Sequence, residues 1–180
     1  MAIPKEIIIG VTGGISAYKA CDVVRQLAKK GYAVTVLMTP EAGHFVGELT
    51  FRTLSGRPVV QDMFRQPMGW DPCHIGLADK ADAIAIVPAT ARCIAGLAHA
   101  ACDDVIGCVI SATKAPVIIC PAMNDAMFGH PGVQENIKRL ASFGYRLVGP
   151  VEGDLACGRR GTGHLADVAD IVAAIEQAVT

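Results

Sequence analysis

Charge is scarce in this sequence: Asp, Glu, Lys and Arg make up 18% of its 180 residues, the net charge is −1, and aromatic side chains contribute 5% with a single tryptophan. Such a chain has no basic stripe to neutralise phosphates, which excludes nucleic acid and anionic membrane surfaces as expected partners. No apolar run reaches the ~18 to 20 residues of a membrane span, and the first thirty residues lack the basic start and cleavage site of a signal peptide. The expected compartment is therefore the cytoplasm. Seven cysteines (Cys21, Cys73, Cys93, Cys102, Cys108, Cys120, Cys157) are scattered without a CxxC pair or a histidine pair at zinc-finger spacing, so neither disulfides nor a metal site is expected. Neither GxGxxG nor GxxxxGK[ST] occurs, which argues against NAD and nucleoside triphosphates.

What the chain does have is apolar residues, at 52%. A domain of this size buries roughly two thirds or more of its unfolded surface, and an apolar excess beyond that is better covered by another subunit than by a larger core. A homo-oligomer is expected. Ile7-Ile8-Ile9-Gly10-Val11 reads as a buried strand, Thr12-Gly13-Gly14 as a glycine turn, and Ile15 to Lys30 as a helix stopped by Gly31. Ala33 to Met38 is a second strand. Ala83 to Val87 leads into a Pro88-Ala89-Thr90 turn, and Val117 to Cys120 into Pro121-Ala122-Met123-Asn124. Val133 to Phe143 and Val168 to Val179 read as helices and Tyr145 to Val148 as a strand, while Pro150 to Gly163, punctuated by glycine, reads as a mobile loop and candidate lid. Strands apolar on both faces and separated by helices predict one α/β domain over residues 1–180, with a doubly wound, mostly parallel sheet covered on both sides.

Ligands in such sheets bind beyond the carboxyl ends of the strands. Those ends are Thr12 to Ser16, Thr39, Pro88 to Ala91 and Pro121 to Asn124. Gly13, Gly14 and Ser16 open a helix N-terminus to an anion, with hydroxyls from Thr12 and Ser16 nearby. Thr39, where an NAD-binding protein places a carboxylate, suits a monophosphate ligand.

At these positions the chain resembles the flavin-containing cysteine decarboxylases, which include phosphopantothenoylcysteine decarboxylase and the lantibiotic peptidyl-cysteine decarboxylases. The similarity runs over nearly the whole length: Gly13-Gly14-Ile15-Ser16-Ala17-Tyr18-Lys19, His74-Ile75-Gly76-Leu77 with Ala81-Asp82, Pro88-Ala89-Thr90-Ala91, Pro121 to Met127 matching PxMNxxM, and Leu155-Ala156-Cys157-Gly158. The resemblance implies a flavodoxin-like or Rossmann-like fold and FMN as cofactor, held by Gly13, Gly14, Ser16, Thr39, Pro88, Ala89 and Thr90. It implies Asn124 as the group that holds the substrate carboxylate, with Met123, Met127 and Ala156 beside it. It implies His74 as a catalytic histidine and Cys157 as a proton donor. By the same resemblance the substrate is phosphopantothenoylcysteine, decarboxylated to phosphopantetheine in coenzyme A biosynthesis, and the assembly is a trimer or dodecamer whose neighbouring subunits close the site. The resemblance further implies that FMN would oxidise the cysteine end, that carbon dioxide would leave once its electrons have a sink, and that Cys157 would supply a proton while the reduced flavin returned hydride to the enethiol.

Three positions depart from that pattern. Phe128 replaces a common tryptophan, His164 a common arginine near the substrate phosphate, and Asp103-Asp104 a common Asn-Asp pair; Arg159 and Arg160 stand as candidates to replace the basic group. The alternatives are a decarboxylase of cysteine-ended peptides, which has no need of Cys157; a flavin prenyltransferase, which has no need of His74, Asn124 and Cys157 together; and a non-catalytic flavoprotein regulator.

Overall fold

The computed structural model describes residues 3–63 and 73–180. The isoleucine run forms β1 (Glu6–Val11), whose last five residues are buried, because β-branched side chains fit a pleated surface covered on both faces. α1 (Ala17–Lys29) turns Ala17, Ala20, Val23, Val24 and Leu27 inward at three- and four-residue spacing. β2 (Ala33–Met38), a 3-10 turn at Pro40–His44, α2 (Glu48–Ser55) and β3 (Val59–Val60) complete the first half. The second half runs α3 (Cys73–Lys80), β4 (Ala83–Ala89), α4 (Ala91–Ala98), α5 (Val105–Ala112), β5 (Val117–Pro121), α6 (Asp125–Phe128), α7 (Pro131–Ser142), β6 (Arg146–Leu147), β7 (Val151–Asp154), β8 (Arg160–His164) and α8 (Val168–Ala178).

Six strands form one parallel sheet in the order β3-β2-β1-β4-β5-β6. Ile9 of β1 lies level with Val36 of β2 on one side and Ala85 of β4 on the other. One core layer packs Ile7, Ile9 and Val36 with Val23, Leu27 and Ile171; the opposite layer packs Ile8, Ile84 and Ile86 with Ile94, Ile106 and Leu140. This is the doubly wound sheet expected from the sequence. The chain leaves β1 outward to β2 and β3 and then returns to β4, so the strand order reverses between β1 and β4, where adjacent crossovers diverge and open a crevice. Among the described residues no helix is long and apolar enough to cross a membrane.

Two local expectations are corrected. Pro88 and Ala89 are not a turn: β4 continues to Ala89 with a register shift between Ile86 and Ala89, and the chain turns only at Thr90, whose hydroxyl accepts from Cys93 N–H to cap α4. The stretch from Pro150 to Gly163 is not an irregular loop but the antiparallel hairpin β7–β8. Glycine there marks proximity. Met123 N–H donates to Gly163 O at 3.0 Å, and a Cβ on Gly163 would collide with the Met123 carbonyl oxygen, so this strand lies directly on the chain following β5.

Candidate active site

A cavity of about 880 Å³ opens at the carboxyl ends of β1, β2, β4 and β5 and is walled on one side by the β7–β8 hairpin. This is within the size range of pre-formed cofactor and ligand sites. Its floor is set by Thr12, 2% exposed, whose hydroxyl donates to Pro88 O at 2.7 Å and accepts from Thr90 N–H at 3.1 Å. That hydroxyl joins the ends of β1 and β4 and is not available to an anion, which corrects the expectation drawn from the glycine turn. Pro88 and Ala89 stand behind this joint and do not line the cavity.

Gly13, Gly14 and Ser16 do line it. Gly13 has to be glycine because a Cβ there would strike Glu41. Ser16 occupies the N-cap of α1 without spending its side chain on a capping bond, so its hydroxyl stands uncommitted on the cavity wall at the positive end of the helix, while Ala17 and Lys19 N–H are already bonded to Gly14 O and Ser16 O. Thr39 also lines the cavity, but its oxygen caps the 3-10 turn by accepting from Ala42 N–H at 3.3 Å. Beyond it, Glu41 pairs with Arg92 at the rim. Glu41 is held below the usual carboxylate range by backbone N–H donation first, with Arg92 and Thr39 also contributing.

Asn124 caps α6: its Oδ1 accepts from Ala126 N–H at 2.9 Å and Met127 N–H at 3.4 Å. Its acceptor is therefore spent, and Nδ2 points to Cys157 Sγ at 3.5 Å. Met123, Met127, Ala156 and Cys157 share this part of the wall. Cys157 is held below the ordinary thiol range, chiefly by the backbone N–H of Arg159 and then by its guanidinium. Cys93, which also lines the cavity, is pushed up to about 12 by burial and is a packing residue.

His74 lies elsewhere. It begins α3, half-buried, and does not line the cavity that brings Asn124 and Cys157 together. α3 packs on the opposite core layer, through Leu77 and Ala78, and is tied to the end of α5 by Thr113 Oγ1 donating to Ala78 O at 3.0 Å. Within one chain the structure thus unites two of the three expected catalytic side chains.

Residues that the sequence singled out as departures or candidate basic groups have specific partners in the structure. His164 Nε2 meets Lys19 Nζ at 2.8 Å and His164 Nδ1 meets Asp154 O at 3.0 Å. A carbonyl only accepts, so Nδ1 is the nitrogen that donates in the contact with Asp154 O. Asp104 caps α5 by accepting from Gly107 N–H at 2.7 Å, a role signalled by an aspartate directly before the apolar run Val105 to Ile110. Arg159 and Arg160 are each committed to a carboxylate, Asp125 at 3.0 Å and Glu152 at 3.2 Å.

A crevice at the reversal of a doubly wound sheet, with an anion-ready helix start and a thiol on a covering hairpin, defines a mononucleotide-type α/β ligand-binding protein. The chain belongs to the Flavoprotein family, whose model matches residues 2–180. It is 41% identical over 175 residues to a probable phosphopantothenoylcysteine decarboxylase of Streptococcus mutans, covering 96% of this chain and 98% of that protein. It is 42% identical over 173 residues to the coenzyme A biosynthesis bifunctional protein CoaBC of Bacillus subtilis, covering 96% of this chain and 43% of that protein. The chain therefore spans less than half the length of the bifunctional relatives it matches. Among solved structures, the FMN-dependent cysteine decarboxylase SpaF superposes with a TM-score of 0.84 at 31% identity over 98% of both chains. A cysteine-to-serine mutant of PPC decarboxylase complexed with pantothenoylaminoethenethiol superposes at 0.86 with 23% identity, over 97% and 98% of the two chains, and shows the shared fold.

Proposed function

We propose that residues 1–180 act as one FMN-binding domain that decarboxylates phosphopantothenoylcysteine to phosphopantetheine, in a cytoplasmic homo-oligomer. The observation that carries this reading is the carboxamide of Asn124 standing 3.5 Å from the thiol of Cys157 on the wall of a cavity large enough for cofactor and substrate together. The named relatives support the same chemistry. FMN fits the residues present: Gly13 lets the chain pass close to Glu41, and Ser16 offers an uncommitted hydroxyl at a helix start. Gly14 and Thr90 border the same space, with Thr39 and the Pro88-Ala89 backbone shaping it. When bound, the flavin supplies a reversible two-electron acceptor for the cysteine end.

The protein's own groups do the rest. Asn124 presents only N–H donors, so it holds a carboxylate without adding a negative charge that would oppose the loss of carbon dioxide. Met123, Met127 and Ala156 stand beside it on the cavity wall. Cys157 delivers a proton to the carbon left behind. His74 acts from a neighbouring subunit. The exposed apolar side chains Ile15 and Tyr18 at the start of α1, and Phe45 and Leu49 beside it, supply the surface for such an assembly.

The test is direct. The purified protein should show an oxidised-flavin spectrum, and with phosphopantothenoylcysteine it should release carbon dioxide and a saturated product identified by mass. Cys157→Ser should stall at the unsaturated product two hydrogens lighter. A colourless protein, turnover of cysteine-ended peptides alone, or a normal saturated product from the serine variant would overturn the proposal.

A further inference from the structure

Arg159 lies two residues beyond Cys157, at the start of the returning half of the hairpin, and it is tied down on two sides. Its Nη2 donates to Asp125 Oδ1 of α6 at 3.0 Å. Its backbone N–H and its guanidinium are also the groups that hold the Cys157 thiol below its ordinary range. Its carbonyl accepts from Leu155 N–H at 2.7 Å, which closes the turn around the thiol. Asp125 is the neighbour of Asn124, the residue whose Nδ2 reaches the same sulfur. One side chain therefore links the hairpin tip, the thiol and the helix that Asn124 caps.

Taking Cys157 as the proton donor of the reaction proposed above, we propose that Arg159, anchored on Asp125, is the positioning residue that holds this thiol over Asn124 and governs its reactivity. Giving up the proton leaves a thiolate on Cys157. The guanidinium of Arg159 is fixed beside this turn by Asp125, so the charge appears next to a cation already in place and does not wait for solvent to reorganise. Of the other charged groups around the site, Asp125 is paired with Arg159 itself, Lys19 is bonded to His164, Arg160 is paired with Glu152, and Glu41 with Arg92 at the rim, while the Asp154 carboxylate shares the cavity wall. Arg159 is thus the cation that addresses the thiol. A lysine keeps the charge but lacks the planar fork of N–H groups that fixes the guanidinium on Asp125.

The experiment compares the flavin-loaded wild type with Arg159→Gln and Arg159→Lys, following iodoacetamide alkylation of the Cys157 peptide by mass across pH. The thiolate is the reacting form, and Arg159 favours it. Removing the cation should therefore slow alkylation near neutrality by about two- to fivefold, the size that an exposed charge contact commands, and move the rise in rate to higher pH. Arg159→Lys keeps the charge and should restore most of that pH position. In turnover Arg159→Gln should raise the ratio of unsaturated to saturated product, since the donor is no longer held in place. An alkylation profile for Arg159→Gln that overlays the wild type, or a product ratio equal to wild type, overturns the inference. A wild-type protein that leaves phosphopantothenoylcysteine intact ends the functional reading instead, and the alkylation profiles still decide whether Arg159 governs the thiol.

Discussion

The contact between β8 and the chain after β5 sets both the stability of the hairpin and the geometry of the site, and Gly163→Ala tests it. The added methyl would meet the Met123 carbonyl oxygen inside contact distance, with the Met123 carbonyl carbon at 3.2 Å and that of Asn124 at 3.3 Å. These are backbone atoms and cannot rotate away. Overpacking of this kind costs about 1–3 kcal/mol, and straining the Met123 N–H to Gly163 O bond adds about 0.5–1.5 kcal/mol. At about 2–4 °C per kcal/mol for a chain of this length, the loss in Tm is on the order of 5 to 15 °C. If the hairpin lifts instead, part of that strain is relieved, but Cys157 moves away from Asn124 and the unsaturated product accumulates. Gly43→Ala is the control, because nothing lies within 4 Å of a Cβ there. Thermal unfolding and product analysis on the same samples read both outcomes. A Gly163→Ala protein with the melting temperature and the product ratio of wild type would refute the reasoning.

Thr12→Val removes a buried hydroxyl that serves Pro88 O and Thr90 N–H, leaving both unsatisfied at a cost of about 1–3 kcal/mol, with weaker flavin retention measured by spectral titration. Asp82 accepts from Glu6 N–H at 2.8 Å and from Lys5 Nζ at 3.1 Å and is held below the usual carboxylate range, by the backbone bond first. Its stabilisation is complete above the unfolded value near about pH 4 and is lost as pH falls through the lower folded value, so Asp82→Asn should depress Tm at pH 7 and lose that effect in acid. Co-refolding His74→Asn with Asn124→Ala, each inactive alone, should recover about a quarter of wild-type activity if each site joins two chains at random; no recovery would show that no site draws His74 and Asn124 from different chains.

The framework was legible because burial on both faces writes itself as uninterrupted β-branched runs. Ile7 to Val11 and Ala33 to Met38 leave no other reading, and the strand ends located the cavity. The hairpin was not legible. β7 exposes three of its four residues and β8 fully buries only Gly163, so the pair lacks the apolar alternation that marks a strand, and its glycines read as freedom when they record a close approach. Nor did the sequence reveal that Thr12 and Thr39 spend their oxygens on local structure, since a hydroxyl beside a glycine turn looks the same whether it meets a ligand or a backbone group. His74 was read as part of one constellation with Asn124 and Cys157, and a linear motif contains no information on which chain a side chain serves.

Asn124 allows the structural and chemical roles of one residue to be separated. Its Oδ1 caps α6 and its Nδ2 faces the cavity, so the two halves of one amide do different work. Aspartate caps a helix as well as asparagine does and is favoured by the helix dipole. Asn124→Asp should therefore keep α6 and melt within about 0.5 kcal/mol of wild type. It also replaces the two donors facing the substrate with an anionic acceptor. Losing hydrogen bonds to a charged group is worth about 1.5–3 kcal/mol, so kcat/KM for a carboxylate substrate should fall by about ten- to a hundredfold or more, with repulsion adding to the loss. Asn124→Ala loses the cap as well and should fail in both respects. A purely structural asparagine predicts the reverse ordering, with aspartate active and alanine impaired. An Asn124→Asp protein that folds and turns over normally would show that the carboxamide holds the helix and nothing else.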